Sequence, residues 1–222
     1  MTRADGLVCL ITDRRRLADA MGRPVEEGPE LVVELVEAAG RAGADLVQIR
    51  ERDLDGRVLA ALVRAARAAL AGAPTRLVVN DRLDVAAAAG ADGVHLREDS
   101  VPSEAARRLA PRPFLVGRSV HDAAGARAAG PVDYLLASPV FPTSSKPAPT
   151  PWLGVHGLRA IVAAGWPLPV LALGGVGPKR VAEFRGAGVA GVAAIGAFLP
   201  PAPGADLATH VEKVVAELRI PV

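Results

Sequence analysis

The 222-residue chain has a single cysteine, Cys9, so no internal disulfide can staple it. Cys9 lies in an apolar run and reads as a buried strand thiol. Aromatic residues make up only 3% of the chain, so any core must be packed mainly from Ala, Val and Leu. A formal net charge of +2 is too small for a nucleic-acid footprint, and no nucleic-acid partner is expected. No apolar run reaches the roughly 18 residues of a membrane helix, so no membrane partner is expected. The first five residues lack the apolar segment of a signal peptide. The expectation is a soluble cytoplasmic protein. Its sequence does not fix the oligomeric state, and a homo-oligomer is compatible with it.

What is present is a regular alternation. Half of the residues are apolar. Runs at 7–12, 46–50, 77–80, 93–96, 114–117, 134–138, 170–173 and 191–195 read as eight strands. Segments at 31–39, 54–70, 83–89, 103–109, 123–129, 158–164, 179–187 and 205–218 carry apolar residues near the helical period. Glycines such as Gly43, Gly90 and Gly188 close the helices before the next strand. Ala42-Gly43-Ala44-Asp45 and Ala89-Gly90-Ala91-Asp92 form a weak internal repeat, with Ala187-Gly188-Val189-Ala190 a looser copy. The strand runs are almost wholly apolar, as in a parallel sheet buried on both faces. Eight β/α units in one domain spanning residues 1–222 predict an α/β fold, a single (β/α)8 TIM barrel. An open doubly wound sheet is the alternative. Residues 14–28 and 141–154 read as irregular loops, the second a candidate lid.

In a parallel α/β fold, polar residues just past strand ends mark the active face. Gln48, Arg50 and Arg52 alternate along the second strand and past its end, where two guanidiniums beside an amide suit a phosphate or a carboxylate. The competing reading pairs Arg50 with Glu51 or Arg52 with Asp53 on the surface. Asn80 and Asp81 could bind a hydrated Mg²⁺ or cap the helix near Leu83. His95 reads as a hydrogen-bonded core histidine, and Ser103 as the cap of the helix it begins. Gly117-Arg118-Ser119-Val120-His121 offers an imidazole suited to proton transfer, with Asp122 as a helix cap. No carboxylate that would orient His121 is obvious. Thr143, Ser145 and Lys146 form an anion grip without Walker-type glycines. Gly174, Gly175 and the Ile195–Gly196 turn fit the phosphate position after the last two strands of a barrel.

Taken in order, Gln48-Ile49-Arg50-Glu51-Arg52, Asn80-Asp81-Arg82, Gly93-Val94-His95-Leu96, Gly117-Arg118-Ser119-Val120-His121, Pro139-Val140-Phe141-Pro142-Thr143, Lys146 and Leu173-Gly174-Gly175 resemble the thiamine phosphate synthase and thiazole tautomerase (TenI) family. The resemblance implies a (β/α)8 barrel acting on a small phosphorylated thiazole. A synthase joins a pyrimidine diphosphate to that thiazole phosphate with Mg²⁺. Its pyrophosphate ligands would be Gln48, Arg50, Asn80, Thr143, Ser145 and Lys146. Arg52 stands where that pattern has lysine. Its metal carboxylates would be Asp81 and, by a loop shift, Asp99. Ungapped counting of Arg97-Glu98-Asp99-Ser100-Val101-Pro102 against a Gly-Gln-Glu-Asp-Leu-Pro segment puts the second carboxylate at Ser100. A tautomerase needs no cofactor and uses an acid/base at His121. Ile49-Arg50-Glu51-Arg52 and Gly117-Arg118-Ser119-Val120-His121 favour the tautomerase, with the synthase as alternative. A non-catalytic ligand sensor is the reading from another class.

Overall fold

The computed structural model describes residues 5–143 and 151–219. Its strands are β1 (Leu7–Ile11), β2 (Leu46–Ile49), β3 (Arg76–Asn80), β4 (Gly93–Leu96), β5 (Leu115–Val120), β6 (Tyr134–Ala137), β7 (Val170–Leu173) and β8 (Gly191–Ala194). They pair in parallel in chain order, and β8 returns to β1 to close the barrel. Helices α1 (Arg14–Met21), α2 (Gly28–Arg41), α3 (Gly56–Ala69), α4 (Leu83–Ala88), α5 (Ser103–Leu109), α6 (Ala123–Arg127), α7 (Gly154–Gly165) and α8 (Leu207–Leu218) surround it.

Alternate strand residues divide the apolar interior in two. Leu7, Cys9, Ile11, Leu46, Val78, Tyr134, Leu136, Leu171 and Ala193 fill the barrel itself. Val8, Leu10, Val47, Val79, Val94, Val116, Leu135 and Val192 face outward against the helices. This double burial is why the strands read as continuous apolar runs. Tyr134 fits inside because its neighbour on β5 is Gly117, where a Cβ would lie 2.1 Å from the tyrosine ring. Burial raises the Cys9 thiol pKa far above its ordinary value, which keeps the strand thiol inert.

The aspartates that follow the helix-ending glycines Gly43, Gly90 and Gly130 have one job. Asp45, Asp92 and Asp133 begin the approach to β2, β4 and β6. Each carboxylate accepts the N–H of a residue on the preceding strand, from Val8, Leu77 and Val116 at 2.8–2.9 Å. These bonds tie the floor of the barrel opposite the catalytic face.

Three local expectations change. Residues 14–28 are not irregular: Asp13 accepts the Arg16 N–H and starts α1, and Gly22 ends it in the left-handed conformation. The segment after β7 is a 3₁₀ stretch, Pro178–Phe184, because Gly177-Pro178 and Gly186 leave too short a periodic run for an α-helix. Ser103 does not cap α5; its hydroxyl donates to the Ala129 carbonyl at 2.7 Å. Asp122 does cap α6, accepting from Gly125 N–H. The part of the candidate lid at residues 144–150 lies outside the described residues.

Candidate active site

The C-terminal mouth of the barrel opens into two adjoining lobes. The first, about 410 Å³, is lined by Gln48, Arg50 and Arg52 from the end of β2, Asn80 from β3, His95, Arg97, Glu98 and Asp99 from β4 and its loop, and Ser119 and His121 from β5. The second, about 300 Å³, is lined by Gly174, Gly175 and Val176 after β7, Ile195 and Gly196 after β8, Arg16 of α1, and Thr143. Ser138, Leu173 and Ile195 line both and form the shared wall.

The first lobe is cationic and partly desolvated. Burial, then the neighbouring Arg52, lowers the Arg50 pKa from its ordinary value, so this guanidinium lies beside a like charge. Gln48 Nε2 donates to Asn80 Oδ1 at 3.0 Å, locking two amides together across β2 and β3. The surface pairs that competed for these arginines do not form. Glu51 turns inward and accepts from the Thr12 hydroxyl at 2.6 Å and from the Arg14 N–H. Asp53 takes Arg14 and Arg15. Burial raises the Glu51 pKa despite its hydrogen bonds, whereas the Arg14 hydrogen bond lowers that of Asp53. Thr12 Oγ1 also accepts the Arg50 N–H at 3.0 Å. A buried network therefore fixes the backbone beneath Arg50.

Two histidines have opposite settings. His95 is fully buried, and desolvation pulls its pKa down to about 3, so the ring is neutral. It contacts Tyr134 Oη at 3.1 Å and Ser119 Oγ at 2.9 Å. This is the expected core histidine, and it also orients Ser119 at the cavity wall. His121 is half exposed. Its Nδ1 bonds the Ser138 carbonyl, and its Nε2 lies 3.6 Å from Glu98 Oε2. A carboxylate does face this imidazole after all. Glu98 is held by its own carbonyl, which accepts from Arg118 Nη2 at 2.7 Å.

The glycines of the second lobe make room for protein before they make room for a ligand. A Cβ on Gly174 would lie 2.8 Å from Pro139 Cα, and one on Gly175 would lie 2.7 Å from Phe141 Cβ. Both have left-handed φ, +99° and +63°. The result is a stretch of backbone at Gly174 and Gly175 that reaches the lobe with no β-carbons on it. Such a surface lets a phosphate approach closely. Thr143 belongs to this lobe rather than to the arginine-lined one. Ser145 and Lys146 lie outside the described residues.

Asp81 and Asp99 do not form the expected metal pair. Asp81 does not cap α4, and it adopts a left-handed φ of 59°. Asp81 Oδ2 faces Arg97 Nη1 at 3.8 Å, and Arg97 Nη2 contacts Asp99 Oδ2. Among the described residues, no three His, Cys, Asp or Glu side chains converge on a cation position. Mg²⁺ asks for hard oxygen ligands in near-octahedral geometry. Here the two candidate carboxylates are already shared by a guanidinium, and this donor set does not fit the ion.

Arg16, His95, Arg97, Glu98 and Ser138 line the mouth without having been singled out for it. Arg97 and Glu98 carried a legible signal, since both follow a strand end directly. Arg16 did not, because it lies on α1, in a stretch that reads as loop.

The model of the family described as TMP-TENI, thiamine monophosphate synthase, matches residues 8–198. A thiamine-phosphate synthase of Methanoregula boonei is 44% identical over 75% of this chain and 77% of its own length. A putative thiamine-phosphate synthase of Geobacter sulfurreducens is 40% identical over 90% and 89%. A solved thiamine phosphate pyrophosphorylase from Pyrococcus furiosus superposes with a TM-score of 0.78 at 32% identity, over 97% of this chain and 98% of that one. With its barrel closed and its strand-end motifs gathered at one mouth, the chain belongs to the thiamine monophosphate synthase (TMP-TENI) family.

Proposed function

We propose that the protein is a thiamine-phosphate synthase, joining hydroxymethylpyrimidine diphosphate to thiazole phosphate with release of pyrophosphate. The carrying observation is the pair of adjoining lobes, one arginine-lined and one glycine-floored, with a common wall. Two guanidiniums beside the Gln48–Asn80 amides are a donor set for a diphosphate, more than the single carboxylate of a carboxythiazole phosphate asks for, and the glycine-floored lobe is left for a second phosphate. The names of the relatives support the same reading, against the preference for the tautomerase drawn from the motifs alone.

The chemistry follows from that division. The pyrophosphate of the pyrimidine substrate lies against Arg50, Arg52 and the Gln48–Asn80 pair. The C–O bond to its methylene breaks, and the electron pair leaves with pyrophosphate. The thiazole nitrogen, held by its phosphate beside Gly175 and Gly196, gives its lone pair to the same methylene. A C–N bond forms and the ring becomes a thiazolium. No proton is transferred, so no general base is required. The protein's work is positioning and charge neutralisation.

The His121–Glu98 contact favours a second reading, tautomerisation of a carboxythiazole phosphate, because an imidazole facing a carboxylate suits proton transfer. A paired assay separates the two. Purified protein with both phosphorylated substrates should yield thiamine phosphate and equimolar pyrophosphate. Aromatisation of the carboxythiazole phosphate with no coupling would replace the first reading by the second.

A further inference from the structure

Coupling makes pyrophosphate a leaving group, and the charge growing on it has to be met by cations in the first lobe. Arg97 follows β4 directly, and Asp81 follows β3, its paired neighbour. The Asp81 N–H donates to the His95 carbonyl at 2.8 Å, which fixes the two strand ends together. Asp81 Oδ1 is buried and has no hydrogen-bond partner among the described residues. The carboxylate as a whole is partly exposed, and a shielded oxygen of this kind is stabilised by a cation near the group. The cation facing this carboxylate is Arg97, which lies 3.8 Å from the other oxygen, Oδ2; its guanidinium also contacts Asp99 and lines the cavity with Arg50 and Arg52.

We propose that the Arg97 guanidinium, anchored on Asp81 and Asp99, is the built-in cation of this site, so that pyrophosphate departs without a bound divalent metal. The proposal rests on the coupling reading above. Arg97 would donate N–H groups to the pyrophosphate oxygens as the C–O bond breaks and the thiazole nitrogen closes on the methylene. Its planar fork suits a diphosphate. A dication placed on the same carboxylates would be repelled by it.

The test combines metal binding with turnover. The metal probe is Mn²⁺, followed by electron paramagnetic resonance. The wild-type protein should leave Mn²⁺ free in solution and should form thiamine phosphate undiminished in EDTA. Arg97→Gly should gain a Mn²⁺ site and lose about a hundredfold in coupling rate, with Mg²⁺ restoring part of it. Arg97→Lys should keep the metal out. Mn²⁺ bound by the wild type, or EDTA-sensitive coupling restored by Mg²⁺, would overturn the role of Arg97 and leave the synthase reading standing. These wild-type measurements decide the matter even if Arg97→Gly does not fold. No coupling with or without Mg²⁺ would instead sink the synthase reading, and this role with it.

Discussion

His121 and Glu98 face each other across the ends of β5 and β4, with Nε2 3.6 Å from Oε2. Nδ1–H donates to the Ser138 carbonyl, which leaves Nε2 as the reactive nitrogen. Nothing in the coupling chemistry uses that nitrogen, so the pair discriminates between the two readings. His121→Ala should cost about 100-fold or more in tautomerisation, if the protein has that activity. Coupling should be little affected. Glu98→Gln should lower tautomerisation only about fivefold, because both groups are half exposed and solvent screens them. Stopped-flow absorbance of the aromatising ring measures the first rate, and thiamine phosphate formation the second. A collapse of coupling in His121→Ala would place this imidazole in the coupling step.

Gly175→Ala should weaken the second lobe through its walls. The substitution puts a Cβ 2.7 Å from Phe141 Cβ and the Pro142 carbonyl, at a left-handed φ of 63°. An L-residue there costs about 1–2 kcal/mol in backbone strain alone. Phe141 packs on Phe184 and lies under Arg180, so the clash spreads into the segment after β7. Urea unfolding should show a loss of about that size or more. Affinity for thiazole phosphate should fall about tenfold as the lobe is displaced. Unchanged stability with unchanged affinity would move the phosphate elsewhere.

The barrel was legible because both faces of each strand are buried, which leaves uninterrupted apolar runs. β5 was read short for the same reason. Arg118 and Ser119 end the apolar run, yet the strand continues to Val120. Their side chains are placed by the two-residue alternation: Ser119 toward the cavity, Arg118 toward the loop that carries Glu98. Gln48, Arg50, Arg52 and Asn80 were found because polar residues in or just after an apolar strand stand out. The role of Arg97 was not legible. A guanidinium shared by two carboxylates depends on the left-handed turn at Asp81 and on a loop whose course no periodicity sets. Glu51 was misread as a surface partner, because only the fold brings Thr12 and Arg14 over it.

His95 should make the protein acid-sensitive well above the carboxylate range. Its folded pKa, about 3, is below the ordinary 6.5, so the unfolded chain binds the proton more readily. The stability it contributes is fully present above about pH 6.5 and is lost progressively as pH falls toward 3. Glu51 works in the opposite sense, because its raised pKa favours the fold as that carboxyl protonates. Comparing wild type with His95→Gln removes the Glu51 contribution from the difference. Unfolding free energy measured from pH 7 to pH 4 should fall more steeply in the wild type. Parallel curves would mean that the ring is protonated within the fold.

Arg50→Met should separate stability from binding. The guanidinium is desolvated beside Arg52, and its lowered pKa shows that the fold disfavours the charge. An anion in the first lobe would offset both the lost hydration and the like charge of Arg52. Removing the charge while keeping an apolar stem should therefore leave the melting temperature unchanged or higher, by up to about 1 kcal/mol of stability. Affinity for inorganic pyrophosphate should fall between about tenfold and a hundredfold, the loss expected for a charge-assisted fork. Calorimetric titration and thermal unfolding on the same preparations give both quantities. A lower melting temperature with unaltered pyrophosphate affinity would make Arg50 a structural residue and take the anion out of this lobe. A higher melting temperature with weakened binding would identify Arg50 as a strained cation held ready for its ligand.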